Sequence, residues 1–127
     1  MAEPRFEMVS ISVAGLNGRA HSDSGWAVMW RFLSANNRSI AQSVNCFPDG
    51  DSCALAVERL KAGLKAAQVL TVRDEQGMWL WQLRLGGESV GVSSRKYRRR
   101  LHAVNSGSSF HHLAESSGEI NRTRVRP

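Results

Sequence analysis

The stretch Trp79-Leu80-Trp81-Gln82-Leu83-Arg84 decides the fold, because an earlier part of the chain repeats its pattern and its surroundings. Trp81-Gln82-Leu83 is followed by Val90-Gly91-Val92-Ser93 and then by Tyr97. In the same way, Trp30-Arg31-Phe32 is followed by Ile40-Ala41-Gln42-Ser43 and then by Phe47. One deletion in the turn aligns the two copies at a period of about 50 residues, the size of a supersecondary unit that needs a partner copy to complete its core.

Each copy contains three stretches in which apolar and polar residues alternate, and this period of two is typical of half-buried strands. The predicted strands are residues 6–13, 25–33 and 38–46 in the first copy, and 69–73, 78–85 and 88–94 in the second. On the first of these strands, Val9, Ile11 and Val13 share the apolar face. Turn residues lie between neighbouring strands, at Asn36-Asn37, residues 74–77 and Gly86-Gly87. Residues 14–25 are rich in Gly, Ser and Asn, which predicts a long exposed hairpin loop.

A helix is predicted after the third strand of each copy. In the first copy, an Asp or Ser of residues 48–52 offers an N-cap. The apolar residues that follow recur at helical spacing and predict a face packed on a sheet: Cys53, Ala56, Val57, Leu60 and Leu64. The second helix is predicted within residues 97–110, shortened or frayed because residues 105–109, Asn-Ser-Gly-Ser-Ser, are poor helix formers.

These elements predict an α+β fold in which two tandem β-β-β-α repeats form one antiparallel sheet with two helices on one face. The predicted single domain covers residues 1–114, with repeat one at about 5–66 and repeat two at about 67–113. Residues 115–127 form a polar, basic tail whose composition is typical of disorder.

The residue pattern of the two repeats resembles that of the YegP-like family of small uncharacterised bacterial proteins. The resemblance is carried by residues 74–84, Gly86-Gly87, Ser93-Ser94 and Tyr97 in the second copy, and by residues 30–37 in the first. It implies one sheet shared by two repeats, with helices packed on it. It implies no reaction.

Composition narrows the class of protein. The chain has 127 residues, of which 42% are apolar, and it contains no apolar run of the length that spans a membrane. Residues 1–5 do not begin a signal peptide, so a cytoplasmic location and no membrane partner are expected. Cys46 and Cys53 match no zinc spacing and are predicted to be reduced and largely buried. No metal, cofactor or catalytic residue is predicted.

The charge gives the strongest indication of function. The formal net charge is +6, which favours anionic partners. Five positive charges lie within six residues at the predicted start of the second helix: Arg95, Lys96, Arg98, Arg99 and Arg100. Arg122, Arg124 and Arg126 on the tail are candidates to extend the same patch. Helix N-termini prefer acidic side chains, so this run predicts a surface for nucleic acid, another polyanion or an acidic protein. The alternative interpretation of the run is a solvated basic face. The alternative function is a protein-interaction or self-association module, such as a homodimer, that uses a sheet edge.

Other candidate sites carry less weight. Trp26, Trp30, Trp79 and Trp81 are predicted to be core residues; a base-stacking platform is the alternative. His102, His111 and His112 have no carboxylate or Cys at a metal-binding spacing and are predicted to lie at the surface. Ser43 with His21, or Ser93 with His102, lacks an orienting acid for nucleophilic catalysis. The minor alternative is a ribonuclease H-like fold. Such a fold would be inactive here, because the first strand lacks the Asp that would be the central metal ligand.

Overall fold

In the computed structural model, which describes residues 3–12 and 25–122, six antiparallel strands form one sheet in the order β1-β2-β3-β6-β5-β4. The second half of this order is the mirror of the first, so β3 and β6 meet at the centre. The strands are β1 (Arg5–Ser12), β2 (Trp26–Leu33), β3 (Ser39–Ser43), β4 (Gln68–Arg73), β5 (Trp79–Leu85) and β6 (Glu88–Ser93). The predicted α+β fold of two tandem repeats is confirmed.

The junction between β3 and β6 joins the repeats with near two-fold symmetry. The backbone N–H of Val44 donates to the carbonyl oxygen of Val90 at 3.3 Å, and the N–H of Ser94 donates to the carbonyl oxygen of Ile40 at 2.9 Å. The two bonds are symmetric, because Val44 in the first copy corresponds to Ser94 in the second, and Ile40 corresponds to Val90. The repeat is therefore a structural repeat, and neither copy completes the sheet without the other.

Two helices cover one face of the sheet: α1 (Gly50–Ala62), followed by a 3₁₀ turn (Leu64–Ala66), and α2 (Arg100–Glu115). The predicted apolar face of α1 is confirmed, since Cys53, Val57 and Leu60 are all buried. No helix among the described residues is long and apolar enough to cross a membrane.

The core lies between the helices and the sheet, and its largest side chains are aromatic. Trp30 and Trp81 are 1% and 0% exposed, and each backbone N–H donates to the hydroxyl of the equivalent serine, Ser43 at 3.2 Å or Ser93 at 3.3 Å. This confirms that the two tryptophans occupy equivalent strand positions. On β1 the buried face carries Phe6 and Met8, not the alternate set that begins at Val9.

The second helix corrects the sequence prediction. α2 has 16 residues and is longer than α1, which has 13, so the expected short or frayed helix is wrong. Tertiary contacts override the weak helix propensity of residues 105–109. Gly107 brings the helix so close to the sheet that a methyl group there would lie 2.5 Å from Cγ1 of Val69, and Phe110 is fully buried.

The chain after α2 returns along the outer edge of β1. The N–H of Met8 donates to the carbonyl oxygen of Asn121, and the N–H of Asn121 donates to that of Phe6, both at 2.9 Å. Lys61 of α1 donates from its ammonium to the carbonyl oxygens of Ser117 and Gly118. Part of the predicted basic tail, up to Arg122, therefore packs on the domain. Residues 123–127, and the predicted loop at 14–25 apart from Gly25, lie outside the described residues.

Leu60→Ala should lower the free energy of unfolding by about 2–5 kcal/mol, because it removes buried apolar atoms and leaves a cavity. Denaturant unfolding measures the loss. Glu58→Ala, an exposed position on the same helix, should change it by less than about 0.5 kcal/mol. Equal stabilities for the two variants would contradict the packing of α1.

Gly107→Ala should destabilise the protein by about 1–3 kcal/mol, although alanine normally favours a helix over glycine by about 1 kcal/mol. The reason is overpacking, since the added methyl group would also lie 3.2 Å from Cγ of Trp81. Ser108→Ala, the exposed neighbour, should be neutral or slightly stabilising. Thermal unfolding of both variants checks the sign, and a Gly107→Ala protein more stable than wild type would refute the close contact.

Candidate polyanion-binding surface

The basic surface, as we call Arg95, Lys96, Arg98, Arg99 and Arg100, lies on the connection between β6 and α2. Tyr97 fixes the middle of this connection, because it exchanges two backbone hydrogen bonds of 2.6 Å with Trp79 on β5. The Tyr97 hydroxyl also donates to the Ser106 hydroxyl of α2 at 3.0 Å. With Tyr97 half-buried, all five cationic residues around it are exposed.

Four of these five cations have no ion-pair partner among residues 3–12 and 25–122. The exception is Lys96, whose ammonium lies 2.8 Å from Oδ2 of Asp74. The hydrogen bond from Lys96, together with one from the backbone N–H of Met78, holds the pKa of Asp74 below its ordinary value. Arg95, Arg98, Arg99 and Arg100 thus carry the positive charge that the surface offers to an outside group.

The start of α2 lacks the capping that stabilises the start of α1. In α1, Oδ1 of Asp49 accepts a hydrogen bond of 2.7 Å from the N–H of Ser52, and Asp51 follows in the first turn. In α2 the N-cap residue is Arg99, whose side chain makes no capping bond, and the first turn contains no acid. The positive end of the helix dipole therefore adds to the charge of the arginines.

Leu101, immediately after the run, is 64% exposed, the highest exposure among the large apolar side chains described. Sequence reasoning missed both Leu101 and the Asp74 partner of Lys96. The pairing of Asp74 with Lys96 could not be predicted from the sequence, since 22 residues separate the two along the chain. Leu101 could have been recognised because it falls outside the buried spacing of α2.

Arg122 does not extend the basic surface. Its guanidinium lies 2.8 Å from Oδ1 of Asp51, at the start of the other helix. Arg124 and Arg126, which the sequence placed with the same patch, lie outside the described residues.

The four tryptophans divide into two pairs. Trp30 and Trp81 are in the core, whereas Trp26 and Trp79 are half-buried near the ends of their strands. The guanidinium of Arg73 lies over the Trp79 ring, 5.6 Å from its centroid, at a distance typical of a cation–π contact. Trp26 and Trp79 were predicted to be core residues, but each is the first residue of its strand and is only half-buried.

Three of the remaining candidates for chemistry, Ser43, Ser93 and His111, make hydrogen bonds within the fold. The Ser93 hydroxyl accepts from the Trp81 N–H and donates to the carbonyl oxygen of Arg95 at 2.7 Å. His111 Nε2 lies 2.7 Å from the Leu64 carbonyl oxygen, while His102 and His112 are exposed. Among the residues described, no three His, Cys, Asp or Glu side chains group as metal ligands.

Both described cysteines are free thiols, and Cys46 is half-buried while Cys53 is buried. Burial raises the pKa of the Cys53 thiol to about 12. At neutral pH Cys53 is therefore protonated and unreactive, and it packs as a small apolar side chain.

Fold and surface together define a class: a two-repeat sheet protein with an exposed basic connection in its second repeat.

No family model matches the chain, and no curated protein matches it. Two structures solved in solution by NMR do. The protein of unknown function yegP from E. coli is 11% identical, with a TM-score of 0.67 over 97% of this chain and 95% of that one. A UPF0339 protein from Shewanella oneidensis is 13% identical, with a TM-score of 0.69 over 94% and 91%.

At these identities the likeness shows the fold, and it confirms the YegP-like architecture that the sequence resemblance implied. It also replaces the ribonuclease H-like alternative, because one tandem-repeat fold accounts for nearly the whole chain. Because yegP is a protein of unknown function, the role of the basic surface is argued from the chemistry of its own residues.

Arg99→Asp should stabilise the protein by about 0.5–2 kcal/mol, because it gives α2 the N-cap that Asp49 gives α1. Asp49→Ala should lose a comparable amount, and denaturant unfolding compares the two. The hydrogen bond from Ser52 lowers the pKa of Asp49 in the folded protein. The loss in Asp49→Ala should therefore be full above the unfolded aspartate pKa of about 3.9 and shrink as the pH falls below it. A destabilised Arg99→Asp protein would mean that the arginines themselves hold the start of α2.

Proposed function

We propose that this protein is a non-enzymatic binding module whose basic surface takes nucleic acid or another polyanion. One observation carries the proposal: Arg95, Arg98, Arg99 and Arg100 are exposed together with no ion pair among the described residues. Clustered like charges repel one another, and a phosphate-rich partner would offset that repulsion.

The local backbone supports the same partner. Tyr97 is anchored to β5, so the arginines project from a fixed connection and not from a free tail. The uncapped start of α2 adds positive potential at the same place. Guanidinium groups bind phosphate oxygens with two parallel hydrogen bonds, which makes arginine the preferred residue for such contacts.

The surface offers little for reading bases. Its cations would contact phosphate groups, which position a protein on nucleic acid without reading its sequence. The exposed Leu101 adds apolar contact but no hydrogen-bonding pattern. We therefore expect binding with weak sequence preference and a strong dependence on salt.

Arg99→Gln with Arg100→Gln should weaken binding to single-stranded and double-stranded oligonucleotides and flatten its salt dependence. Each lost phosphate contact reduces the log–log slope by about 0.7 for single strands and 0.9 for duplexes, so the double variant should lose about 1.4–1.8 units. Fluorescence anisotropy over a range of salt concentrations measures the slope.

The matched control is Arg59→Gln with Lys65→Gln, which removes two exposed positive charges associated with the first helix. Its slope should stay at the wild-type value. Equal effects in both double variants would mean that net charge alone attracts the oligonucleotide, and no wild-type binding at low salt would reject the nucleic-acid proposal.

A second candidate function is self-association through β4. Within the described chain, no strand covers the outer edge of β4, whereas the edge of β1 pairs with Asn121. Leu70 in the middle of β4 is 38% exposed. An edge strand of this kind can pair with a second copy through backbone hydrogen bonds. Association that depends on protein concentration and barely responds to salt, measured by sedimentation, would favour this function.

A further inference from the structure

The two repeats treat their buried tryptophan indoles differently. In repeat two, the indole N–H of Trp81 donates to the Ser106 hydroxyl at 3.0 Å, and this hydroxyl also accepts from the Tyr97 hydroxyl at 3.0 Å. Trp81 is fully buried, so these contacts satisfy a polar group that water cannot reach. In the second repeat, the indole N–H therefore has its hydrogen-bond acceptor within the protein.

In repeat one, the residues equivalent to Ser106 and Tyr97 are Ala56 and Phe47, and neither side chain can accept a hydrogen bond. The Trp30 side chain is 1% exposed. Among residues 3–12 and 25–122, no group accepts a hydrogen bond from its indole N–H. The indole nitrogen of Trp30 is not itself a buried atom, so its N–H, which has no acceptor among the described residues, reaches solvent.

A cavity of about 230 Å³ lies where the missing side chains would be. Trp30, Phe47 and Ala56 all line it, and Leu60 and Leu85 complete the apolar wall. The six-membered ring of Trp30 lies against β6, since a methyl group on Gly91 would lie 2.9 Å from Cη2 and 3.4 Å from Cζ2. The strand that carries Gly91 also supplies Val90 to the cavity wall.

The cavity is large enough for one substituted ring. A cavity of about 150 Å³ holds benzene, so this one has room for a benzene ring with a small substituent. Three further lining residues are polar: Asn45, Arg59 and Glu88. Arg59 and Glu88 are exposed and have no ion pair with any described residue.

We propose that repeat one contains a binding site for a small, uncharged aromatic carboxamide. The ring would lie against Phe47 and Leu60, and its carbonyl oxygen would accept from the Trp30 indole N–H or from Arg59. The amide N–H₂ would donate to Glu88. An uncharged amide matches a site that presents both a cation and an anion, whereas a carboxylate would be repelled by Glu88 and an amine by Arg59. The site shares no residue with the basic surface and does not depend on the proposed function.

The test is titration of the ¹⁵N-labelled protein with benzamide, observed at the assigned indole N–H resonances. Benzamide at millimolar concentration should shift the Trp30 resonance and leave that of Trp81 in place. Without ligand, the Trp30 N–H should exchange with deuterium faster than the Trp81 N–H, which is held by Ser106.

Ala56→Ser with Phe47→Tyr copies the Trp81 network into repeat one and should reduce benzamide affinity by at least about 10-fold, the factor that corresponds to 1.4 kcal/mol. The reciprocal variant, Ser106→Ala with Tyr97→Phe, should keep the wild-type shift at Trp30. If the first double variant fails to fold, Arg59→Met, at an exposed position, should still weaken binding several-fold. No benzamide-induced shift at Trp30, or a shift unchanged in the variants of repeat one, would overturn the proposal.

Discussion

The fold depends on one aromatic contact, the insertion of Phe110 between the two equivalent tryptophans. The Phe110 ring stacks on Trp30, with centroids 6.4 Å apart and planes at 6°, and on Trp81, at 5.1 Å and 28°. It also meets Phe6 and Phe32 edge-on, at 6.2 and 5.2 Å. A single side chain of repeat two thus packs against the core aromatics of both repeats. Aromatic pairs add about 0.5–1.5 kcal/mol each beyond area burial, so this residue couples the copies.

Small residues make room for that aromatic cluster. Gly91 allows the Trp30 ring to lie against β6, and Gly107 allows α2 to approach Trp81. The equivalents of these glycines in the other copy are Ala41 and Val57, both buried. The repeats therefore share a backbone plan but distribute volume differently, as expected when two units must fill one common core and not two separate ones.

Much of this architecture could be predicted from the sequence, because period-two alternation and a repeat of about 50 residues are local signals. The length of α2 could not, since it rests on the contacts of Gly107 and Phe110 with a sheet formed by distant strands. The buried face of β1 was missed for a similar reason: each alternate set contains apolar residues, Phe6 and Met8 in one and Val9 and Ile11 in the other, and the packing of the helices decides which set is covered. At the basic surface, the residues were predictable from charge, but the pairing of Lys96 with Asp74 required the packed structure.

The divergence of the two copies is where function is to be sought. Repeat one has the conventional helix cap at Asp49 but no partner for the Trp30 indole, while repeat two satisfies Trp81 through Ser106 and has Arg99 in place of the cap. Each copy thus keeps one stabilising feature that the other lacks. Since the shared fold shows that both features fit either copy, neither omission is required by the backbone. The uncapped cationic start of α2 reduces stability, and such a local cost is typical of a site that contacts something outside the chain. In repeat one, the Trp30 indole N–H has no acceptor among the described residues and reaches solvent.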